Sequence, residues 1–292
     1  MNDVSLQAWV GRQEQDESLI EPLRAQALQA ALGDEGPRLE AGDALPPLWH
    51  WLYFWELVAP AGLGPEGHPK LGGFLPPVPL PRRMWAGSRL SFPRPLPLGS
   101  AVTRKSAIES VVEKEGRQGP LVFVTVSHRI EDTDGLVIDE EHDIVYRSAP
   151  KPGPDGNLPP VKPPPRPAPD RADWQFSYRP DPILLFRYSA LTFNAHRIHF
   201  DKEFCRDEEG YPGLVVHGPL MATLMAGLAR THCPERRVTA FSFRGVSPVF
   251  EGESLTVGGT LADDGGSASL WVADGDGALA MEGRLSLAGE KA

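Results

Sequence analysis

Apolar residues fall into several kinds of run along this chain, and each kind predicts a different element. Near the N-terminus Leu19, Leu23, Ala27 and Ala31, with Ile20 and Leu28 beside them, recur at helical spacing as far as Gly33. Positions three and four apart share one helix face, and Ser18 with Glu21 three residues later has capping-box spacing, so an amphipathic helix is expected there. The stretch LPPLWHWLYFWELVAP (45–60) is too rich in aromatic residues for a helix facing water and should be wrapped on most sides. Segments 86–93, 100–115, 120–131 and 136–147 are rich in Val, Ile and Thr, with Gln-Gly and Asp-Gly steps between them. That is the pattern of an antiparallel meander.

The second half repeats the layout. ILLFRYSALTF (183–193) reads as a short strand, and HGPLMATLMAGLAR (217–230) as a helix with Ala222, Ala226 and Ala229 on one side and Leu and Met spread around the rest. A helix that is apolar all round is one a sheet encloses. Strands follow near 238–249, 253–262, 267–273 and 278–288. Each half therefore reads as one buried helix followed by a long antiparallel sheet, an α+β arrangement from an old duplication in which only one half need keep chemistry. Between them lies SAPKPGPDGNLPPVKPPPRPAPD (148–170), with ten prolines from Pro150 to Pro169. Proline fixes φ and donates no backbone hydrogen bond, so this segment is expected to be a semi-rigid connector between units 1–147 and 171–292.

Composition narrows the function classes. No segment of the 292 residues approaches the ~20 uninterrupted apolar residues a membrane span requires, so no bilayer crossing is expected. The acidic start MNDVSLQAWVGRQEQDESL lacks a secretory pattern, and the default location is cytoplasmic. A net charge of −10 and the lack of a basic stripe with interleaved aromatics argue against a nucleic-acid partner. Arg82-Arg83 and Arg236-Arg237 are the local donor clusters open to an anionic ligand. Cys205 and Cys233 lack metal spacing and cannot build a disulfide framework, so both read as reduced, and neither a metal nor another cofactor is expected.

The candidate chemistry sits in LTFNAHRIHFD (191–201), where His196 and His199 lie three apart with Asn194, Arg197 and Asp201 nearby. Apolar flanks recess these groups, and a desolvated imidazole needs partners such as Asn194 or Asp201. The chain then reaches His217-Gly218-Pro219, where the buried helix begins. Gly218 leaves its N–H uncovered at the positive end of a helix dipole, able to donate to an oxygen gaining charge. A proton-moving histidine facing such an N–H suits chemistry beside a thioester carbonyl. The same residues also fit a plainer role, a histidine satisfying backbone groups and a packing glycine.

The run from Thr192 to Asp201, followed by GYPGLVVHGPL (210–220), resembles the MaoC-like hydratases, especially their type 2 hydroxyacyl-thioester dehydratase branch with its F-N-x-H-R-I-H-[YF]-D run. SPVFEGESL (247–255) resembles that family's P-V-[FY]-x-G-[DE]-x-L strand entry. The resemblance is strong over 185–255 and one of layout only over 40–147. It implies a double hotdog, each unit a long helix wrapped by an antiparallel sheet, with catalytic elements in the second unit. It also implies a hydro-lyase adding water reversibly to a 2-enoyl thioester.

The broader family's D-x-N-P-x-H motif, aligned without gaps, places its His on His199 but its Asp on Asn194 and its Asn on His196. Asn has no acid–base chemistry, so Asn194 orients water at most, and His199 works alone or with His196 or Asp201. Gly218 would polarise the thioester carbonyl, Arg197 is the candidate for a distal carboxylate, and His217 is assigned to substrate binding. Within the branch the expected substrate is a coenzyme A thioester of a short branched dicarboxylic acid, mesaconyl or itaconyl, giving citramalyl-CoA. The alternatives are a 3-hydroxyacyl-carrier-protein dehydratase, a hotdog thioesterase that Asn194 argues against, and a non-catalytic acyl-CoA binding protein. A homo-oligomer is compatible with all of them.

Overall fold

A computed structural model describes residues 5–116, 119–149 and 162–289. The first half runs β1 (Gln13–Leu19), α1 (Pro22–Leu32), β2 (Arg82–Ser91), β3 (Ala101–Gly116), β4 (Gly119–Asp132) and β5 (Gly135–Arg147). The second runs β6 (Trp174–Tyr178), α2 (Pro182–Thr192), α3 (Lys202–Asp207), α4 (Gly218–His232), β7 (Val238–Gly245), β8 (Leu255–Leu261), β9 (Ser267–Ala273) and β10 (Leu279–Leu287). The strands form one antiparallel sheet in the order β1-β3-β4-β5-β2-β7-β10-β9-β8-β6. Read inward from its two ends, that order matches strand for strand, β1 with β6 through to β2 with β7, so the duplication expected from the layout is visible in the topology.

The halves join where β2 pairs with β7, from Gly87 opposite Arg244 to Ser91 opposite Ala240. A Cβ at Gly87 would stand 2.2 Å from the Phe243 carbonyl oxygen, so the strands close here only around glycine.

Alternating apolar positions place the four strands of each half's meander close to where the sequence put them. Local signals decide the helices. α1 begins at Pro22, a residue whose fixed φ suits the first helical position, and ends at Gly33 with φ +69°. Ser18 is not its cap: it lies in β1, and its hydroxyl donates to the Tyr53 carbonyl at 2.8 Å. Segment 183–193 is not a strand but α2. Asp181 caps it by accepting from the Leu184 N–H at 2.7 Å, and Leu184, Leu185, Tyr188 and Ser189 turn inward at helical spacing. The cap and the proline at its start outweigh a strand-like composition.

α4 is enclosed as expected, with Leu220, Met225 and Ala229 at 0% exposure against the sheet of the second half. The first half differs. In the aromatic stretch 45–60 the helical residues are Trp49–Leu52, a single 3₁₀ turn, and Pro60, which opens another (Pro60–Gly62), although Leu48, Trp49, Leu52 and Tyr53 are buried. Leu48 takes a left-handed φ of +73° just before the Trp49–Leu52 turn, so that turn cannot extend backwards, and the Tyr53 N–H closes it on His50 O at 3.1 Å. The inner face of β2–β5 is left without a long helix over it.

Of the proline-rich connector, residues 150–161 lie outside the described residues. Its end, 162–170, packs along the second half: Ala168 N–H donates to Gly277 O (3.0 Å), Leu279 N–H to Arg166 O (2.7 Å), and Lys162 pairs with Asp274 at 2.9 Å. Extended proline segments bond nothing internally, which leaves their carbonyls free for a neighbouring strand. No helix among the described residues is long and apolar enough to cross a membrane.

Candidate active site

The loop after α2 is shaped by its own backbone. Phe193 takes a left-handed φ of +52° at the helix end, and the next N–H, of Asn194, donates to Ser189 O at 2.8 Å. Asn194 Oδ1 then accepts from the His196 N–H at 3.0 Å, which tightens the turn and leaves the Asn194 amide nitrogen as its free donor. A short 3₁₀ turn, Arg197–His199, follows, with His199 inside.

His199 Nδ1 lies 2.7 Å from the Val215 carbonyl. A carbonyl only accepts, so Nδ1 carries the proton and Nε2 the lone pair. Burial holds this imidazole's pKa at about 4, so it is a neutral base at neutral pH. The His217 ring stacks on it with centroids 3.6 Å apart, and His217 Nε2 sits 2.9 Å from Ser189 Oγ. The next residue, Gly218, is the first of α4, where the helix offers no acceptor to the leading N–H groups. His199, Gly218 and Asn194 all line one cavity of about 580 Å³ between the two halves; His217 stands behind it.

The first half contributes a histidine that the sequence did not reveal. Gly67, at φ +95°, lies so close to the second half's loop that a Cβ would be 1.9 Å from Ala195 O, and the Arg197 N–H donates to Glu66 O at 2.9 Å. This docking brings the His68 ring to 4.2 Å from the His196 ring. Burial pushes both imidazoles down, His196 to about 2 and His68 well below its usual value, so both are uncharged in the cavity wall. His68 belongs to no periodic run or motif, and a lone histidine among turn residues was its only signal.

Arg197 and Asp201 do not join the site. Arg197 Nε and Nη2 bond Asp201 Oδ2 at 2.9 and 2.7 Å, and its guanidinium lies over the Phe204 ring at 4.3 Å. Asp201 Oδ1 caps α3 by accepting the Phe204 N–H at 3.0 Å. That bond and the arginine hold its carboxyl below the usual range. Neither residue lines the cavity: Asp201 is held by the start of α3, and Arg197 by Asp201 and the Phe204 ring.

The far wall is the uncovered inner face of the first half's sheet, and part of it is polar. Buried Glu140 accepts from Trp51 Nε1 (3.1 Å) and Ser88 Oγ (2.9 Å) and meets His50 Nε2 at 3.0 Å. Burial raises its pKa, but the His50 hydrogen bond and nearby histidines outweigh that and hold it at about 2. His128 and His142 lie on the same face, from adjacent strands. Charged and imidazole side chains at inward positions of an alternating strand were the signal available for this wall.

A ten-stranded sheet built from two matching halves, one of them wrapped around α4, with a histidine and a helix-start amide lining a shared cavity, defines a double hotdog protein. The chain belongs to the hydroxyacyl-thioester dehydratase type 2 family, whose model matches residues 48–251. It is 45% identical to the mesaconyl-C(4)-CoA hydratase of Chloroflexus aurantiacus over 292 residues, 99% of this chain and 100% of that protein. Among solved structures it resembles a MaoC-like dehydratase, with a TM-score of 0.70 at 18% identity over 97% of this chain and 99% of that one. A Mycobacterium tuberculosis protein described as having a double hotdog fold aligns at a TM-score of 0.54 and 17% identity, covering 95% and 96%. At these identities the structural likenesses speak for the fold.

Proposed function

We propose that this protein is a hydro-lyase that adds water reversibly to 2-enoyl thioesters of coenzyme A, with mesaconyl-C4-CoA, hydrated to citramalyl-CoA, as its substrate. The observation that carries this reading is the His199 Nδ1 to Val215 bond. It fixes the imidazole so that the basic nitrogen is the one left for the cavity that Gly218 also lines. Full-length similarity to a mesaconyl-C(4)-CoA hydratase supports the choice of acyl group.

With the thioester carbonyl at the Gly218 N–H, the β-carbon comes within reach of a water held by His199 Nε2 and the Asn194 amide. His199 takes a proton from that water as its oxygen bonds the β-carbon. The alkene electrons move through the α-carbon to the carbonyl oxygen, where the amide and the dipole of α4 stabilise the charge. The imidazolium then returns the proton to the α-carbon, so one base serves both steps and H and OH add to the same face. No carboxylate is required, which accommodates Asn194. The second half supplies the reacting groups and the first half, up to Arg147, the far wall and His68. Cys205 and Cys233 are unpaired, which fits a reducing, cytoplasmic setting.

The test is incubation with mesaconyl-C4-CoA, itaconyl-CoA and crotonyl-CoA, following loss of the enoyl absorbance and formation of the hydroxyacyl thioester by mass. Hydration of mesaconyl-C4-CoA is expected. Failure to consume any enoyl thioester would overturn the reading in favour of a binding protein.

A further inference from the structure

Three cationic side chains line the cavity, Lys70, Arg83 and Arg104, and two of them are occupied. Lys70 is exposed and donates to Ala61 O at 2.8 Å. Arg104 pairs with Asp16 at 2.7 Å and lies over the Phe54 ring. Arg83 has no ion pair among the described residues, although Arg82 beside it is paired with Glu209 at 2.8 Å on the other face of β2. Glu56 also lines the cavity and feels the charge of Arg83, but it is not within 4 Å of it.

Arg83 is half-buried and faces Tyr146 across the β2–β5 ladder, with Trp85 and Ile144 the next pair on that face. A guanidinium beside the Tyr146 hydroxyl and otherwise among apolar side chains, with no carboxylate among the described residues within 4 Å, is costly to keep unless something anionic comes to it. Arg83 lines the same cavity as His199, Asn194 and Gly218, and its charge adds to burial in keeping His68 and His196, and His142 on the far wall, neutral. A planar carboxylate is the anion that a guanidinium fork fits with two parallel bonds.

We infer that Arg83 is the anchor for a free carboxylate on the acyl group, the role the sequence alone suggested for Arg197. This rests on the hydratase reading and deepens it. An acyl group would then be held at two points, its thioester oxygen at Gly218 and its carboxylate at Arg83, with the double bond between them presented to His199. Selectivity for half-thioesters of dicarboxylic acids over plain enoyl chains follows from the second point.

The experiment compares kcat/KM for mesaconyl-C4-CoA and crotonyl-CoA in the wild type, Arg83→Gln and Arg83→Lys. Their ratio is the readout, because a general loss of fold lowers both values together. Arg83→Gln should lower the ratio about 100-fold, the scale of a lost charge-assisted hydrogen bond in a dry site, and Arg83→Lys less, since it keeps the charge but not the fork. An unchanged ratio in Arg83→Gln would overturn the anchor while leaving the hydratase standing. Calorimetric binding of methylsuccinyl-CoA against butyryl-CoA gives a readout free of turnover. If the wild type hydrates nothing yet prefers methylsuccinyl-CoA at least tenfold, and Arg83→Gln abolishes that preference, the anchor stands and the hydratase reading falls. No preference in the wild type overturns the anchor.

Discussion

The imidazoles of His199 and His217 stack with centroids 3.6 Å apart and 17° between their planes, one from the loop after α2 and one from the residue just before α4. The contact ties the proposed base to the helix whose first residue, Gly218, lines the same cavity. Because His217 is itself held at Ser189 Oγ, the plane of His199 is fixed on one side by a ring and at its edge by the Val215 carbonyl. A base held this firmly keeps its lone pair aimed without substrate present.

Replacing His199 by Gln keeps a donor for Val215 but removes the proton acceptor. Turnover should fall by about 10²–10⁴-fold, the usual contribution of a general base, while the thermal midpoint stays within a few degrees. Steady-state rates with thermal melts on the same sample check this, and undiminished turnover would exclude His199 as the base.

Gly218 can be tested through its amide. Proline suits the first turn of a helix, and His217, at ψ 130°, already has the extended backbone that precedes proline. Gly218→Pro should therefore keep α4 and lose about 10²–10³-fold in kcat with the missing donor. Gly218→Ala is the control for bulk, since its methyl would meet Met281 Cε at an ordinary 3.8 Å and the N–H remains. Equal losses in both would mean that crowding, not the amide, matters.

Asp201 acts as a cap and ion-pair partner. Asp201→Ala should lower stability through the lost cap on α3, and Asp201→Asn, which still caps, clearly less. Urea denaturation measures both. The pH profile of turnover should keep its shape in either variant, because no base is removed.

Acid should unfold the protein early. The usual histidine pKa is about 6.5, but burial holds His199 and His142 at about 4, His128 at about 3 and His196 at about 2 in the folded chain. As pH falls below about 6.5 the unfolded chain takes up protons that the folded chain refuses, so stability is lost on the way down toward 4. At pH 5 the four groups cost roughly 2 kcal/mol each, a sum comparable to a typical domain's whole stability. Glu140, held at about 2, has the same sign but acts only below its ordinary range near 4.5. Melting temperatures from pH 7.5 to 4.5 should drop steeply, and a flat series would show that these imidazoles are charged in the fold.

Much of this architecture was legible because alternation and periodicity are local. The strands around Val122–Ile130 and Leu136–Tyr146, and the all-apolar helix from Gly218, needed no knowledge of their neighbours. α2 was missed because Ile183–Phe186 reads as strand by composition, and the Asp181 cap that decides the matter is a single side chain. The shortness of the turn in 45–60 goes with one left-handed leucine ahead of it, a backbone state that no pattern of residues displays. In the site, His199, Asn194 and Gly218 come from neighbouring stretches of chain and share a motif, whereas His68 and Arg83 arrive from more than a hundred residues away. Arg197 looked available until its partner four residues on was placed in space.

The seam between β2 and β7 has a bearing on how the chain can be cut. Each strand is the other's only shield along that border, so either half produced alone would expose a bare rim of amides and carbonyls inviting adventitious strand pairing. A protease nick between Ala149 and Lys162, by contrast, should yield two fragments that elute together, because the ladder rather than the peptide linkage keeps them in one particle.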